Sequence, residues 1–349
     1  MLSRRDALKA SAALPFVAYA NRVMAAAPPA EAITSALIEA AKKEGTVVWY
    51  TSADLRVAEA IGKTFERKYG VTARVERAGA ERLFTRIGQE YASNIYTADT
   101  CNTGDLAMFI LWKQQNLLAP YVPEDVARHI PADYRDVDGM HAVARSSLCV
   151  AAYNPTLVKP DDAPKSFADM LDPKWSGKMA KANPSYSGTI ITSTYQLVKA
   201  LGWPYVEKLA KQKMLQVQSA TDTPNKVILG ERPVMFDGNE YNVFISKEGG
   251  KPIEPIYVAE GSPMIAMPSA IFAKAPHPNA ARLFQSFLFT PEGQQLFVDI
   301  GGLRSVHAQV KDKPGRVPLG SIKIMNADPE GLVTHIDEIK ATYSKYFGV

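Results

Sequence analysis

Within ANPSYSGTI, residues 182–190, Ser185, Ser187, Gly188 and Thr189 stand directly before an apolar run that ends at Leu201. Small hydroxyls at a helix start can serve as a cap for the unpaired N–H groups of the first turn. The same groups can instead donate to the oxygens of an anion, with the helix dipole behind them and a glycine letting the backbone come close. Three other stretches repeat this context of strand end, small or polar residues and helix start. They are Thr51, Ser52 and Ala53 before Asp54; Arg77 and Gly79 before Glu81; and Asp237–Tyr241, which contains Asn239, Glu240 and Tyr241. In open α/β sheets ligands gather at the carboxyl ends of the strands. Two of the loops lie in the first half of the chain and two in the second, which predicts a cleft between two lobes.

Spacings that would signal catalysis are missing. There is no G-x-S-x-G, S-x-x-K, H-E-x-x-H, Walker A or G-x-G-x-x-G string. The five histidines (129, 141, 277, 307 and 335) form no i,i+4 pair. Nothing here argues for an enzyme, a metal centre or a bound cofactor. Cys101 and Cys149 are the only cysteines. They read either as a disulfide of an exported protein or as two small buried residues on neighbouring strands.

The elements that would position these loops follow from the hydrophobic pattern. TVVWYTS (46–52) is a run of β-formers, and Ala58, Ile61 and Phe65 then fall on one helical face that stops at Gly70. VTARVER alternates with period two, and Leu83, Ile87 and Tyr91 return to helical spacing. A short strand in TADTCNTGD leads to the helix LAMFILWKQQN, which completes β-α-β-α-β-α. That order predicts an α/β fold with a largely parallel sheet covered by helices. Ser146–Asn154 reads as a further strand, and Ser166 with Asp169 as a capping box. A second α/β series follows: GKMAKAN, helices to about Lys213, the strand PVMFD and a helix from about Asn239. The strand MIAMPSAIFA and two helices that begin at Pro278 and Pro291 come next.

Composition is that of a globular chain of 349 residues, 46% hydrophobic and 22% charged. The N-terminus reads as an export signal: Arg4 and Arg5, an uncharged apolar stretch from Ala10 to Ala20, then small residues with a cut between 20 and 27. The paired arginines point to the twin-arginine route, while Ala7, where such signals carry Phe, leaves the general secretory route open. Residues 1–27 hold four basic residues and one acid, so they supply +3 of the formal net charge of +4 and leave about +1 for the rest. The basic balance therefore gives no reason to expect nucleic acid as a partner.

Three strings carry a resemblance: APKSFADMLDPKWSGKMAKANPSYSGT, GSPMIAMPSAIF and APHPNAARLFQSFLFTPEGQQLF. They resemble the extracellular solute-binding proteins of ABC importers, in the group that includes ferric-iron, phosphonate, sugar-phosphate and thiamine binders. The resemblance implies the two-lobed type II fold, each lobe a mostly parallel sheet flanked by helices, with two crossing hinge strands near Ser146–Asn154 and Gly261–Met267. It divides the chain into 28–149 for the first part of lobe 1, 150–262 for lobe 2, and 263–349 for the return to lobe 1 with the C-terminal helices. It implies a monomer in the periplasm that takes a small solute to a membrane permease with its ATPase. Arg145 matches a position near the ligand in this group. Ser185, Ser187, Gly188 and Thr189 would cradle an anionic or phosphate-bearing solute, with Arg77 and Gly79 contributing from the first lobe and Tyr241, Tyr186 or Trp49 as walls. Ferric binders of the group carry adjacent tyrosines where this chain has Glu240 and Tyr241, so Fe(III) held by those two residues is the alternative. An exported enzyme or a sensor module is the alternative of another class.

Overall fold

The computed structural model describes residues 26–325 and 327–349. All but the last two residues of the export-signal reading lie outside the described residues. In chain order the elements begin α1 (Ser35–Glu44), β1 (Thr46–Thr51), α2 (Leu55–Tyr69), β2 (Thr72–Arg77), α3 (Ala80–Ala92), β3 (Thr100–Asn102) and α4 (Leu106–Gln114). Then come β4 (Leu118–Ala119), α5 (Glu124–His129), β5 (Ala142–Tyr153), β6 (Met179–Ala182), α6 (Gly188–Leu201) and α7 (Trp203–Ala210). They continue with β7 (Leu215–Val217), α8 (Thr223–Ile228), β8 (Val234–Asn239), α9 (Glu240–Glu248), β9 (Glu254–Ile256) and β10 (Ser262–Phe272). The chain ends with α10 (Pro278–Phe289), α11 (Pro291–Asp299), β11 (Ile324–Met325) and α12 (Pro329–Phe347).

The helical faces form as the pattern predicts. Val57, Ala58, Ile61 and Phe65 are the buried side of α2. Gly70, at φ 69°, closes that helix by donating its N–H to the Glu66 carbonyl, a left-handed cap that suits glycine.

Sheet order runs β2-β1-β3-β10-β5-β8-β6-β7. β2, β1 and β3 are mutually parallel, as are β8, β6 and β7. Between these two sets lie β5 and β10, antiparallel to each other and to their outer neighbours. Ala142–Leu148 of β5 pairs with β10, while Cys149–Tyr153 pairs with β8. β10 likewise pairs with β5 over Met264–Ser269 and with β3 over Ser269–Ile271. These are the two crossing strands, and β5 starts four residues before the predicted Ser146. Each half has its own apolar core. Trp49, Phe65, Phe284 and Phe287 belong to one, and Phe167, Met170, Trp175 and Phe236 to the other.

The last fifty residues touch both halves. Arg304 and Ser146 exchange backbone hydrogen bonds of 2.8 Å each. α12 packs on α4 in the first half and on α6 and α7 in the second. Lys340 pairs with Glu81 of α3, and the Tyr343 hydroxyl donates to Gln216 of β7. Cys101 and Cys149 are both buried and free. They are not on neighbouring strands, because β10 runs between β3 and β5. No helix among the described residues is long and apolar enough to cross a membrane.

Candidate functional site

The helix starts decide which polar groups are free to bind. Thr34, Asp54, Asp105, Thr290 and Asp328 each accept a hydrogen bond from the first turn of the helix they precede. Gly79, Ser187 and Asn239 occupy the same position before α3, α6 and α9, and none makes such a bond. The first-turn N–H groups of these three helices thus lack a side-chain partner. All three helix starts converge on one cavity of about 50 Å³.

Nine of the sequence-predicted residues line it. Ser52, Arg77, Gly79 and Arg145 come from the first half and the crossing strand, and Ser187, Gly188, Thr189, Asn239 and Tyr241 from the second. Exposed Tyr186 stands at its rim. No carboxylate, lysine or histidine is among the lining residues.

Arg145 is 2% exposed and has no carboxylate partner among the described residues. Its Nε donates to Asn102 Oδ1 at 2.6 Å, its Nη1 to the Met267 sulfur at 2.9 Å and its Nη2 to Ser52 Oγ at 3.3 Å. Asn102 is itself fixed by donating Nδ2 to the carbonyls of Met267 and Pro268, where a bulge opens the β5–β10 ladder. Burial lowers the guanidinium to about 10, opposed by Tyr241, so it stays charged at neutral pH. Ser52 Oγ also accepts from the Gly104 N–H, which leaves its own proton to donate.

A second chain of bonds runs through the other half. Thr189 Oγ1 donates to Asn239 Oδ1 at 3.1 Å, and Asn239 Nδ2 donates to Tyr241 Oη at 3.3 Å. Burial raises the Tyr241 phenol, although Arg145 opposes this, so the hydroxyl keeps its proton. With its acceptor side used by Asn239, that proton is available to a ligand. The cavity therefore presents two guanidinium groups, hydroxyl protons and helix-start amides, all of them donors.

Gly188 lines the cavity and also sits at a close contact between the halves. A Cβ there would lie 2.9 Å from the Asp105 Cβ and 3.1 Å from the Ala80 Cβ. The glycine lets α6 of the second half close against α3 and α4 of the first.

Four predicted residues do not line the cavity. Thr51 is fully buried, and its hydroxyl accepts from the Ala53 N–H. Ala53 is fully buried in the first core, and its carbonyl accepts from Arg77 Nε. The Ser185 N–H is turned to Asn183 Oδ1. Glu240 is 1% exposed, and its two oxygens accept from Arg304, Arg316 and Tyr257. Burial would raise this carboxyl, but the arginines hold it below its ordinary value. Trp49 is not a wall either; it packs on Phe284 in the core at 5.1 Å.

Ser219, Thr221 and Gly104 line the cavity and were not anticipated. The first two lie between β7 and α8, and Gly104 between β3 and α4. Each stands in the same strand–loop–helix context that singled out the other loops.

The sequence matches the family described as bacterial extracellular solute-binding protein over residues 46–301. The fold is similar to the periplasmic binding protein AfuA of Actinobacillus pleuropneumoniae, solved with fructose-6-phosphate, with a TM-score of 0.80 and 23% identity over 88% of this chain and 99% of that one. It is also similar to iron-bound HitA of Pseudomonas aeruginosa, with a TM-score of 0.77 and 22% identity over 86% of this chain and 99% of that one. A probable ABC transporter periplasmic-binding protein of Sinorhizobium fredii, y4fP, is 27% identical over 140 residues, 38% of each chain.

Proposed function

This chain belongs to the bacterial extracellular solute-binding proteins, and from that premise we propose that it captures a compact anion, such as the phosphate or phosphonate head of a small organic solute. Capture takes place in the periplasm, and the loaded protein delivers the solute to an ABC permease and its ATPase. The observation that carries the anion is Arg145, a buried cation with no carboxylate partner among the described residues, beside a cavity whose charged lining residues are two arginines. A buried unpaired charge is costly, and a bound anion is what would offset it. Arg77 adds a second positive charge from the first half. Closure of α6 on α3 and α4 would then hold the solute between the halves. With no histidine, lysine or carboxylate among the lining residues to activate a hydroxyl, binding without turnover is expected.

Iron(III) fits the same residues poorly. Hard iron asks for several anionic oxygens, whereas Glu240 is consumed by two arginines and Tyr241 is held protonated. Ferric citrate added to the purified protein should leave it colourless; a tyrosinate charge-transfer band would overturn the anion reading. Native mass spectrometry of freshly purified protein, followed by calorimetry with the retained solute and with inorganic phosphate, tests the proposal directly. A retained cation or neutral solute would overturn it.

A further inference from the structure

A larger cavity, of about 300 Å³, lies on the other face of the crossing strands. Met264 and Ala266 of β10 line it, whereas Met267 turns to the cleft beside Arg145, as strand alternation requires. Leu106 at the start of α4 and Leu332 of α12 complete the apolar wall. α6 spans both sites: Thr189 of its first turn lines the cleft, while Thr192 and Gln196 line this cavity.

Two polar atoms here are unsatisfied. Gln196 is 2% exposed, and its Nε2 donates to the Met264 carbonyl at 3.2 Å, but its Oε1 has no partner among the described residues. The buried Thr192 Oγ1 has none either. An amide oxygen only accepts, so it calls for a donor. The charged lining residues are Asp133 and Asp328, and no Lys, Arg or His is among them. Asp328 is already engaged by Tyr195 and Lys199, which leaves exposed Asp133 as the lining charge without a partner among the described residues. This polarity is opposite to that of the cleft.

We propose that this cavity is a second ligand site, which takes a small apolar amine. The ammonium donates to Gln196 Oε1 and Thr192 Oγ1, Asp133 favours its charge, and its hydrocarbon body rests on Met264, Ala266 and Leu332.

The test uses the mature full-length chain with methyl-labelled methionine, and reads the Met264 methyl resonance during titration with cyclohexylamine, cyclohexanol and cyclohexanecarboxylate. The Met264→Leu spectrum assigns that resonance. A saturable shift with the amine is expected, about tenfold weaker with the carboxylate, and unchanged in Arg145→Met, which alters only the cleft. Ala266→Phe should abolish the shift by filling the cavity. If that variant does not fold, Gln196→Leu should weaken the amine more than the alcohol, because the ammonium's hydrogen bond to the lost oxygen is charge-assisted. The proposal is overturned if Met264 shows no saturable shift with the amine. It is equally overturned if the carboxylate binds as tightly as the amine, or if the shift survives in a folded Ala266→Phe protein.

Discussion

Arg145 and Glu240 are both buried charges with opposite surroundings, and they predict opposite phenotypes. Arg145 has only neutral partners among the described residues. Replacing it with Met should weaken anion binding about 30- to 100-fold, equivalent to about 2–3 kcal/mol. It should leave the ligand-free protein at least as stable, because removing an uncompensated buried cation relieves desolvation. Calorimetry and urea unfolding of the same variant separate the two effects; a large loss of stability would show the residue to be structural. Glu240 is paired with both Arg304 and Arg316. Glu240→Gln leaves Asp312 as the one carboxylate shared by two buried guanidinium groups among the described residues, and should cost about 3 kcal/mol in urea unfolding. Its role was not legible in the sequence, since its partners stand 64 and 76 residues away. Beside Tyr241 at a helix start, a carboxylate looks like a ligand until those arginines are seen.

At the level of elements, the strand–loop–helix rhythm was readable and located most of the cavity wall. It failed where the elements are shortest. β7 is three residues long, LQV, too short to show a period, so the Ser219–Thr221 loop behind it went unrecognised. Whether a Ser before a helix caps it or faces a cleft is a matter of side-chain rotation, which spacing does not encode. The contact of α6 with α3 and α4 gives a direct test. Gly188→Ala places a methyl group against Asp105 and Ala80 and should reduce affinity about tenfold or more by holding the halves apart. Solution scattering should show less compaction on adding ligand than in the parent protein.

Asp105, the cap of α4, is fully buried at that contact, and burial together with Glu81 raises its carboxyl to about 7. A group raised in the folded state contributes stability below its unfolded value and loses it as pH climbs through the folded one. Stability should therefore decline between about pH 4 and pH 7 on account of this residue. Asp105→Asn, which keeps a capping oxygen, should flatten that part of the urea-unfolding profile.

Over the whole molecule, two cores are joined by two continuous strands, by the Arg304–Glu240 ion pair and by α12. Ties of this kind predict one cooperative unfolding transition in calorimetry instead of two. Ending the chain after Met325 removes Leu332, Ile339 and Tyr343, all now buried, and should lower the midpoint by uncovering the faces of α4, α6 and α7 on which α12 packs. The alternation of strands and helices announces the α/β class, while the crossing strands, Ser146–Asn154 among them, are what the resemblance implies. The straddling position of α12 was not announced, because an amphipathic helix shows which face is buried but not what it is buried against.

The return of β10 to a place between β3 and β5 also sets an order in time. As the chain is made, β1, β2 and β3 emerge early, yet the inner edge of β3 has no partner until residue 262 and beyond have followed. Asn102 waits 165 residues for the Met267 carbonyl that will hold it. The half of the protein that begins first is thus the one completed later, and through that interval its open strand edge is the surface most exposed to wrong pairing.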